Sequence, residues 1–290
     1  MTDSPAIEPP IGFRVFAAAG EGDLELRLVD QVDSPGADRG PWLIGIAGSV
    51  AVGKTNLAAR LAEAFTRRSP QAQIAVLSTD SFLLPNVELE RLGRTMRKGF
   101  PESFDYAGMV AMLTDLRAGR SVDIAEYSHV DYDIVAGSFT TITAPDVVIL
   151  EGVNVLQPSP LESLPGDGNV GVRTGVVNRA GAESPTVSDL LDRRIYIDTD
   201  EASIQTWFVD RFLELCASAA QAVDGSVESR GFYAGFAGME PEAIRSIAEW
   251  TWSEINAKNL HQHILPSRAE ADVIVEKSSD HGIRRLLLRT

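Results

Sequence analysis

Apolar positions along this chain fall into two recurring patterns. Short continuous apolar runs mark strands buried on both faces, and apolar residues at helical spacing mark one face of a helix. The run Trp42–Ala47 predicts a buried strand, after which Leu57, Leu61 and Phe65 share a helical face. Ile74–Ser78 predicts a second strand and Val147–Leu150 a third. Between them, Phe104 to Leu116 has helical spacing at Met109, Val110, Leu113 and Leu116, and Gly119 can stop it. Ile195–Asp198 predicts a fourth strand, followed by a long helix through Trp207, Phe212 and Leu215. Pro241 opens another helix, carrying Ile244, Ile247, Ala248 and Ile255. Val273–Val275 and Leu286–Leu288 read as late strands, and Leu24–Val29, which alternates, as an early one.

Strands alternating with helices imply an α/β fold, a doubly wound and mostly parallel sheet flanked by helices. Residues 1–290 read as one domain, without internal repeats. Two stretches fall outside the pattern. Residues 1–10 are polar and Pro-containing and read as disordered. Residues 157–186 carry Pro158, Pro160, Pro165, Gly166, Gly168 and Gly171 without a period, which reads as a flexible, exposed insertion.

Composition narrows the partners. The chain has 26 basic and 41 acidic side chains, a net charge of −15. Phosphate surfaces repel that charge, which argues against nucleic acid and anionic membranes. A nucleotide remains compatible, because a local nest of backbone N–H groups with one Lys outvotes the global field. Cys216 is the only cysteine, so no internal disulfide forms, and a reducing cytoplasm is the expected compartment. It lies in an apolar helical pattern and reads as a small buried hydrophobe. The first residues lack the pattern of a secretion signal, and no apolar run is long enough to span a bilayer.

Chemistry enters at Gly48-Ser49-Val50-Ala51-Val52-Gly53-Lys54-Thr55. The glycines permit the backbone angles that turn successive N–H groups inward. Lys54 reaches the β- and γ-phosphates of ATP, and Thr55 offers a hydroxyl to Mg²⁺. The strand before and the helix after supply the context such a cradle needs, and the helix adds its positive dipole end. In open α/β sheets ligands sit at the carboxyl ends of strands. Asp80 and Glu151 follow two of the predicted strands there. One can act as base on an acceptor hydroxyl while the other holds Mg²⁺ or its water. The alternative is that each caps a following turn or helix. Two such acids beside a phosphate cradle favour phosphoryl transfer. Asp198, with a long helix after it, reads as a cap.

The wording around these motifs resembles the bacterial type I pantothenate kinases, P-loop kinases of the phosphoribulokinase and uridine kinase group. The resemblance is carried by Ile44–Thr55, Ser78–Asn86, Arg97–Asp105, Tyr127–Asp133, Ile149–Gln157 and Val187–Asp189, then by Glu254–Asn256, Asn259–Leu260, Ile264–Arg268 and Lys277–His281. It implies ATP-dependent phosphorylation of the primary hydroxyl of pantothenate, the first step towards coenzyme A. It further implies Asp80 as base, Arg211 at the transferring phosphoryl group, and Tyr127, His129, Tyr132 and Asn256 at the acceptor. Lys277 and His281 are implied near the adenine, and a homodimer is implied as well. The chain departs from the family at Phe208, where a Tyr is usual, and at Leu215, where an aromatic is usual. Ala59 stands where the family has an Arg, and the segment before the cradle is short. Ala59 and Leu215 fall in the family's feedback site for coenzyme A, so weak inhibition by coenzyme A is expected. Two other readings stay open. One is a related kinase with a different alcohol acceptor, and the other a nucleotide-binding regulator without catalysis. Lys54, Asp80, Glu151 and Arg211 together weigh against the last.

Overall fold

The computed structural model describes residues 12–17, 29, 40–157, 185–222 and 231–290. Seven strands form one sheet. They are β1 (Phe13–Ala17), β2 (Trp42–Gly48), β3 (Ile74–Ser78), β6 (Val147–Glu151), β7 (Arg193–Asp198), β8 (Val273–Lys277) and β9 (Ile283–Arg289), in the order β1-β9-β8-β7-β2-β6-β3. β4 (Val122–Ser128) and β5 (Asp133–Ile142) form a separate antiparallel ribbon. The helices are α1 (Lys54–Arg68), α2 (Asn86–Arg91), α3 (Tyr106–Arg117), α4 (Glu201–Gln221) and α5 (Pro241–Thr251), with short turns between them.

From β3 to β8 every pairing is parallel. All but the edge strand β3, where Val76 is exposed, are buried on both faces: Leu43, Ile46, Val148, Ile149, Leu150 and Ile274 are all fully shielded. That is why they read as unbroken apolar runs rather than alternating ones. β9 runs the other way. Only the tight turn Ser278–Gly282 separates it from β8, too short for the crossover a parallel partner needs. β1 then pairs antiparallel with β9 at the sheet edge.

α1 buries Leu57, Leu61 and Phe65 with Ala58 and Ala64. α3 is capped by Asp105, which accepts from the Gly108 N–H at 2.8 Å. Pro241 occupies the first position of α5, and the helix runs on through two π turns, Trp252–Asn256 and Leu260–Ile264. Cys216 is buried.

Three expectations need correction. Asp198 does not cap α4. Asp200 does, accepting from the Ser203 N–H at 2.9 Å, while Asp198 is drawn into a buried ion pair with Arg268 at 2.6 Å. The edges of the expected insertion belong to the fold. Gln157 is buried and accepts from the Tyr106 hydroxyl at 3.3 Å, and Thr186 donates to Asp189 at 2.8 Å. Residues 158–184, and the expectation of disorder at 1–10, lie outside the described residues. The same holds for Leu24–Leu28. Val29, the described residue of that alternating run, is helical and buried rather than in a strand.

Candidate active site

β2 ends at Gly48 and α1 begins at Lys54, so the cradle spans the turn between them. Gly48 has φ +149°, and a Cβ there would stand 2.8 Å from the Ile197 carbonyl of β7. Ala51 and Gly53 have φ 61° and 89°, both in the left-handed region. These angles turn the backbone N–H groups of the loop inward. Lys54 Nζ donates to the Ser49 carbonyl at 2.8 Å, so the ammonium folds back over the loop. Burial lowers its pKa, opposed by the charges of Glu151 and Asp80 and reinforced by Arg211. Four charged groups from four segments therefore share one electrostatic neighbourhood.

Sheet register brings the two acids together. Ser78 of β3 lies opposite Glu151 of β6, and Asp80 stands two residues on, with its N–H bonded to Ser78 Oγ at 3.3 Å. Thr55 Oγ1 donates to Glu151 Oε1 at 3.0 Å. A hydroxyl and a carboxylate at hydrogen-bond distance are hard oxygen donors of the kind Mg²⁺ takes beside substrate phosphates. The two strand ends also meet through Gly152, where an added Cβ would fall 1.8 Å from Thr79 Oγ1.

On the other side of Asp80 the β4–β5 ribbon presents aromatic side chains. Tyr127 lies edge-on to His129 at 5.2 Å and to Tyr132 at 6.3 Å. Burial raises the pKa of both tyrosines, with Asp80 a further cause in each, so their hydroxyls stay protonated donors. Phe232 stacks on Tyr132 at 5.0 Å, and Phe212 packs against Tyr233 and Phe236. Arg211 lies on α4, and its charge acts on Lys54 and on Tyr233. Phe208, one turn before Phe212 on α4, meets Trp252 at 5.9 Å and adds to an apolar wall. Asn256 is half-buried at the end of the first π turn, and no hydrogen bond ties it to this cluster among the described residues.

Lys277 Nζ donates to the Val52 carbonyl at 3.0 Å, joining the end of β8 to the cradle. His281 follows in the turn to β9. Both line a cleft of about 410 Å³ beside the cradle, with Asn56 and Arg60 of α1. Ala59 is exposed, but Arg60 next to it carries a basic side chain to that cleft.

Lys98, at the ribbon, was not singled out in the sequence. Lys98 Nζ donates to Asn86 Oδ1 at 2.6 Å and to the Tyr132 carbonyl, and lies 4.5 Å from the Tyr132 ring centre. Burial pushes its pKa down to about 8, opposed by Asp133 and Asp80. Its signal was a lone Lys within Arg97–Asp105, and only the fold brings it to the ribbon.

Known proteins agree with this geometry. The model of the phosphoribulokinase / uridine kinase family matches residues 43–211. Pantothenate kinase from Mesorhizobium japonicum is 40% identical over 250 residues, 86% of this chain and 72% of that protein. Pantothenate kinase from Sinorhizobium medicae is also 40% identical, over 86% of this chain and 69% of the relative. Among solved structures, D-glycerate 3-kinase from Cryptococcus neoformans superposes with a TM-score of 0.51 at 13% identity, covering 91% of this chain and 95% of that one, a likeness of fold alone. Cradle, strand-end acids and relatives agree that the chain belongs to the phosphoribulokinase / uridine kinase family of P-loop kinases and, within it, to the pantothenate kinases.

Proposed function

We propose that this protein transfers the γ-phosphoryl group of ATP to the primary hydroxyl of pantothenate, giving 4′-phosphopantothenate. The observation that carries the reading is that the register of β3 against β6 brings the strand end that carries Asp80 to Glu151, which accepts from Thr55 of the cradle, while the charge of Asp80 acts on both Lys54 and Tyr127. The related pantothenate kinases point to the acceptor.

Phosphoryl transfer asks a protein for positioning and charge neutralisation more than for covalent chemistry. Asp80 takes the proton of the acceptor hydroxyl as its oxygen attacks. Lys54 and Arg211 neutralise charge on the transferring group, in a site where burial strengthens each interaction. Thr55 and Glu151 would hold Mg²⁺, which supplies neutralisation of the β- and γ-phosphate oxygens when bound. Tyr127, Tyr132, His129 and Asn256 offer hydrogen bonds to the uncharged hydroxyl and amide groups of the acceptor. Lys98, a cation at the ribbon, suits the acceptor's carboxylate. Lys277 and His281 face the base. The single cysteine supports a cytoplasmic setting and the charge of −15 disfavours nucleic acid as partner, while a homodimer is supported by the family resemblance.

Phe208 gives a second reading its footing. It removes a hydroxyl donor from the acceptor wall, and a pocket with one polar group fewer can select another alcohol. A coupled ADP-release assay over pantothenate, uridine and simple polyols separates the two. Pantothenate is expected to turn over with the highest kcat/KM. Turnover with another alcohol and none with pantothenate would overturn the assignment, and tight ATP binding without any turnover would leave a regulator.

A further inference from the structure

Trp207 has no part in the chemistry described so far, and the geometry gives it one. It sits on α4 one helical turn before Arg211. Its indole is buried and does not line the cleft beside the cradle. Yet the turn that does line it rests on this one ring. The His281 imidazole stacks on the indole with centroids 4.0 Å apart and planes 23° from parallel. Lys277 Nζ lies 5.4 Å from the indole ring centre while it donates to the Val52 carbonyl. The indole Nε1–H donates to the Ser279 carbonyl at 3.3 Å.

The backbone supplies an independent observation. His281 has φ 67°, a left-handed conformation that a residue with a side chain keeps only where its surroundings over-determine it. The turn's own hydrogen bonds, Ser278 N–H to Gly282 and His281 N–H to Ser278, set the path of the chain. They do not orient the imidazole. The indole face does.

We propose that Trp207 is the positioning residue of the base slot: from beneath the turn it holds the His281 ring and the Lys277 ammonium where the heterocycle of a bound nucleotide meets them, without touching the nucleotide. The proposal rests on reading the 410 Å³ cleft as the nucleotide's base slot. An imidazole offers a planar heterocycle a π face and a polar edge. Burial and the neighbouring Lys277 hold the His281 pKa below its ordinary value, which keeps the ring neutral. Because Trp207 and Arg211 share one helix, the same helix serves the base at one turn and the phosphoryl group at the next.

The test is calorimetric titration of wild type, Trp207→Leu, Trp207→Phe and His281→Ala with two probes, ATP and inorganic tripolyphosphate, alongside melting temperatures. Wild type is expected to bind ATP more tightly than tripolyphosphate. Equal binding would overturn the base-slot reading, and the proposal with it. Given that difference, Trp207→Leu is expected to weaken ATP about tenfold, the scale of one lost ring stack with its neighbour, and to leave tripolyphosphate unchanged. His281→Ala is expected to match it, and Trp207→Phe, which keeps a ring under the imidazole, to fall between. A Trp207→Leu protein that binds ATP like wild type, or that loses both probes equally, would overturn the proposal and leave Trp207 a core residue. Should Trp207→Leu not fold, Trp207→Phe decides by the same criterion, a loss on ATP alone.

Discussion

Gly152 packs tightly on Thr79 just past the ends of the two strands carrying the proposed chemistry, and replacing it with Ala tests whether Asp80 and Glu151 must be held in register. A Cβ at residue 152 would stand 1.8 Å from Thr79 Oγ1 and 2.8 Å from both Cβ and Cγ2 of Thr79. Rotating the Thr79 side chain relieves the first clash but leaves Thr79 Cβ where it is, so backbone must give. The residues that give flank the two acids: Thr79 precedes Asp80, and Gly152 follows Glu151. Overpacking of this kind costs about 1–3 kcal/mol of stability. A displacement of about 1 Å at a positioned catalytic group costs on the order of 10²-fold in rate. Gly152→Ala should therefore lower kcat about 100-fold in a coupled ADP-release assay while ATP affinity by calorimetry holds, since the cradle is untouched. The three nearest atoms all belong to the Thr79 side chain, so Thr79→Gly added to Gly152→Ala should recover much of the loss. A Gly152→Ala enzyme with wild-type kcat, or a double variant no better than the single one, would show that the approach of these strands does not set the geometry.

Three further outcomes follow from named groups. Asp80→Asn should reduce kcat about 10²–10⁴-fold with ATP binding intact, and activity near wild type would remove Asp80 as base. Lys98, at about 8, should lose its charge as pH rises through that value, so KM for a carboxylate-bearing acceptor should climb above pH 8 while KM for ATP does not, and a flat profile would take Lys98 out of acceptor binding. Arg268→Met should destabilise the fold by about 3–5 kcal/mol in chemical denaturation at neutral pH, because it leaves Asp198 buried without its partner, 2.6 Å away, and strips Glu276 of one of its two arginines. Burial already raises the folded-state pKa of Asp198, so the folded state binds the proton more tightly than the unfolded one. That linkage disfavours folding as pH rises through the interval between the two values, and the variant's deficit should shrink on acidification. A deficit that grows on acidification would contradict it.

What the sequence could disclose follows from the range of each interaction. The cradle is a local device: the glycine angles, the lysine and the following helix lie within a few residues, so spacing alone reveals them. The parallel strands are legible because burial on both faces writes itself as an unbroken apolar run. The β4–β5 ribbon leaves no such trace. Most of β5 is exposed, so no core selects its residues, and the ribbon's aromatics, Tyr127 on β4 and Tyr132 in the turn before β5, became visible only through resemblance. Choices between near neighbours were also hidden. Asp198 and Asp200 are equally good caps on paper, and Arg268, far along the chain, decides by drawing Asp198 into the sheet. Arg60, which no motif marks, lines the cleft beside the cradle, one position on from the exposed Ala59. Trp207 read only as part of a long helix, and its side chain is buried. Only the turn after β8, folding His281 back onto the indole with its backbone in the left-handed region, gives a buried ring a part in recognising what binds beside the cradle. A site residue of that kind cannot be found from its own neighbours in sequence, because its role is defined by what it supports.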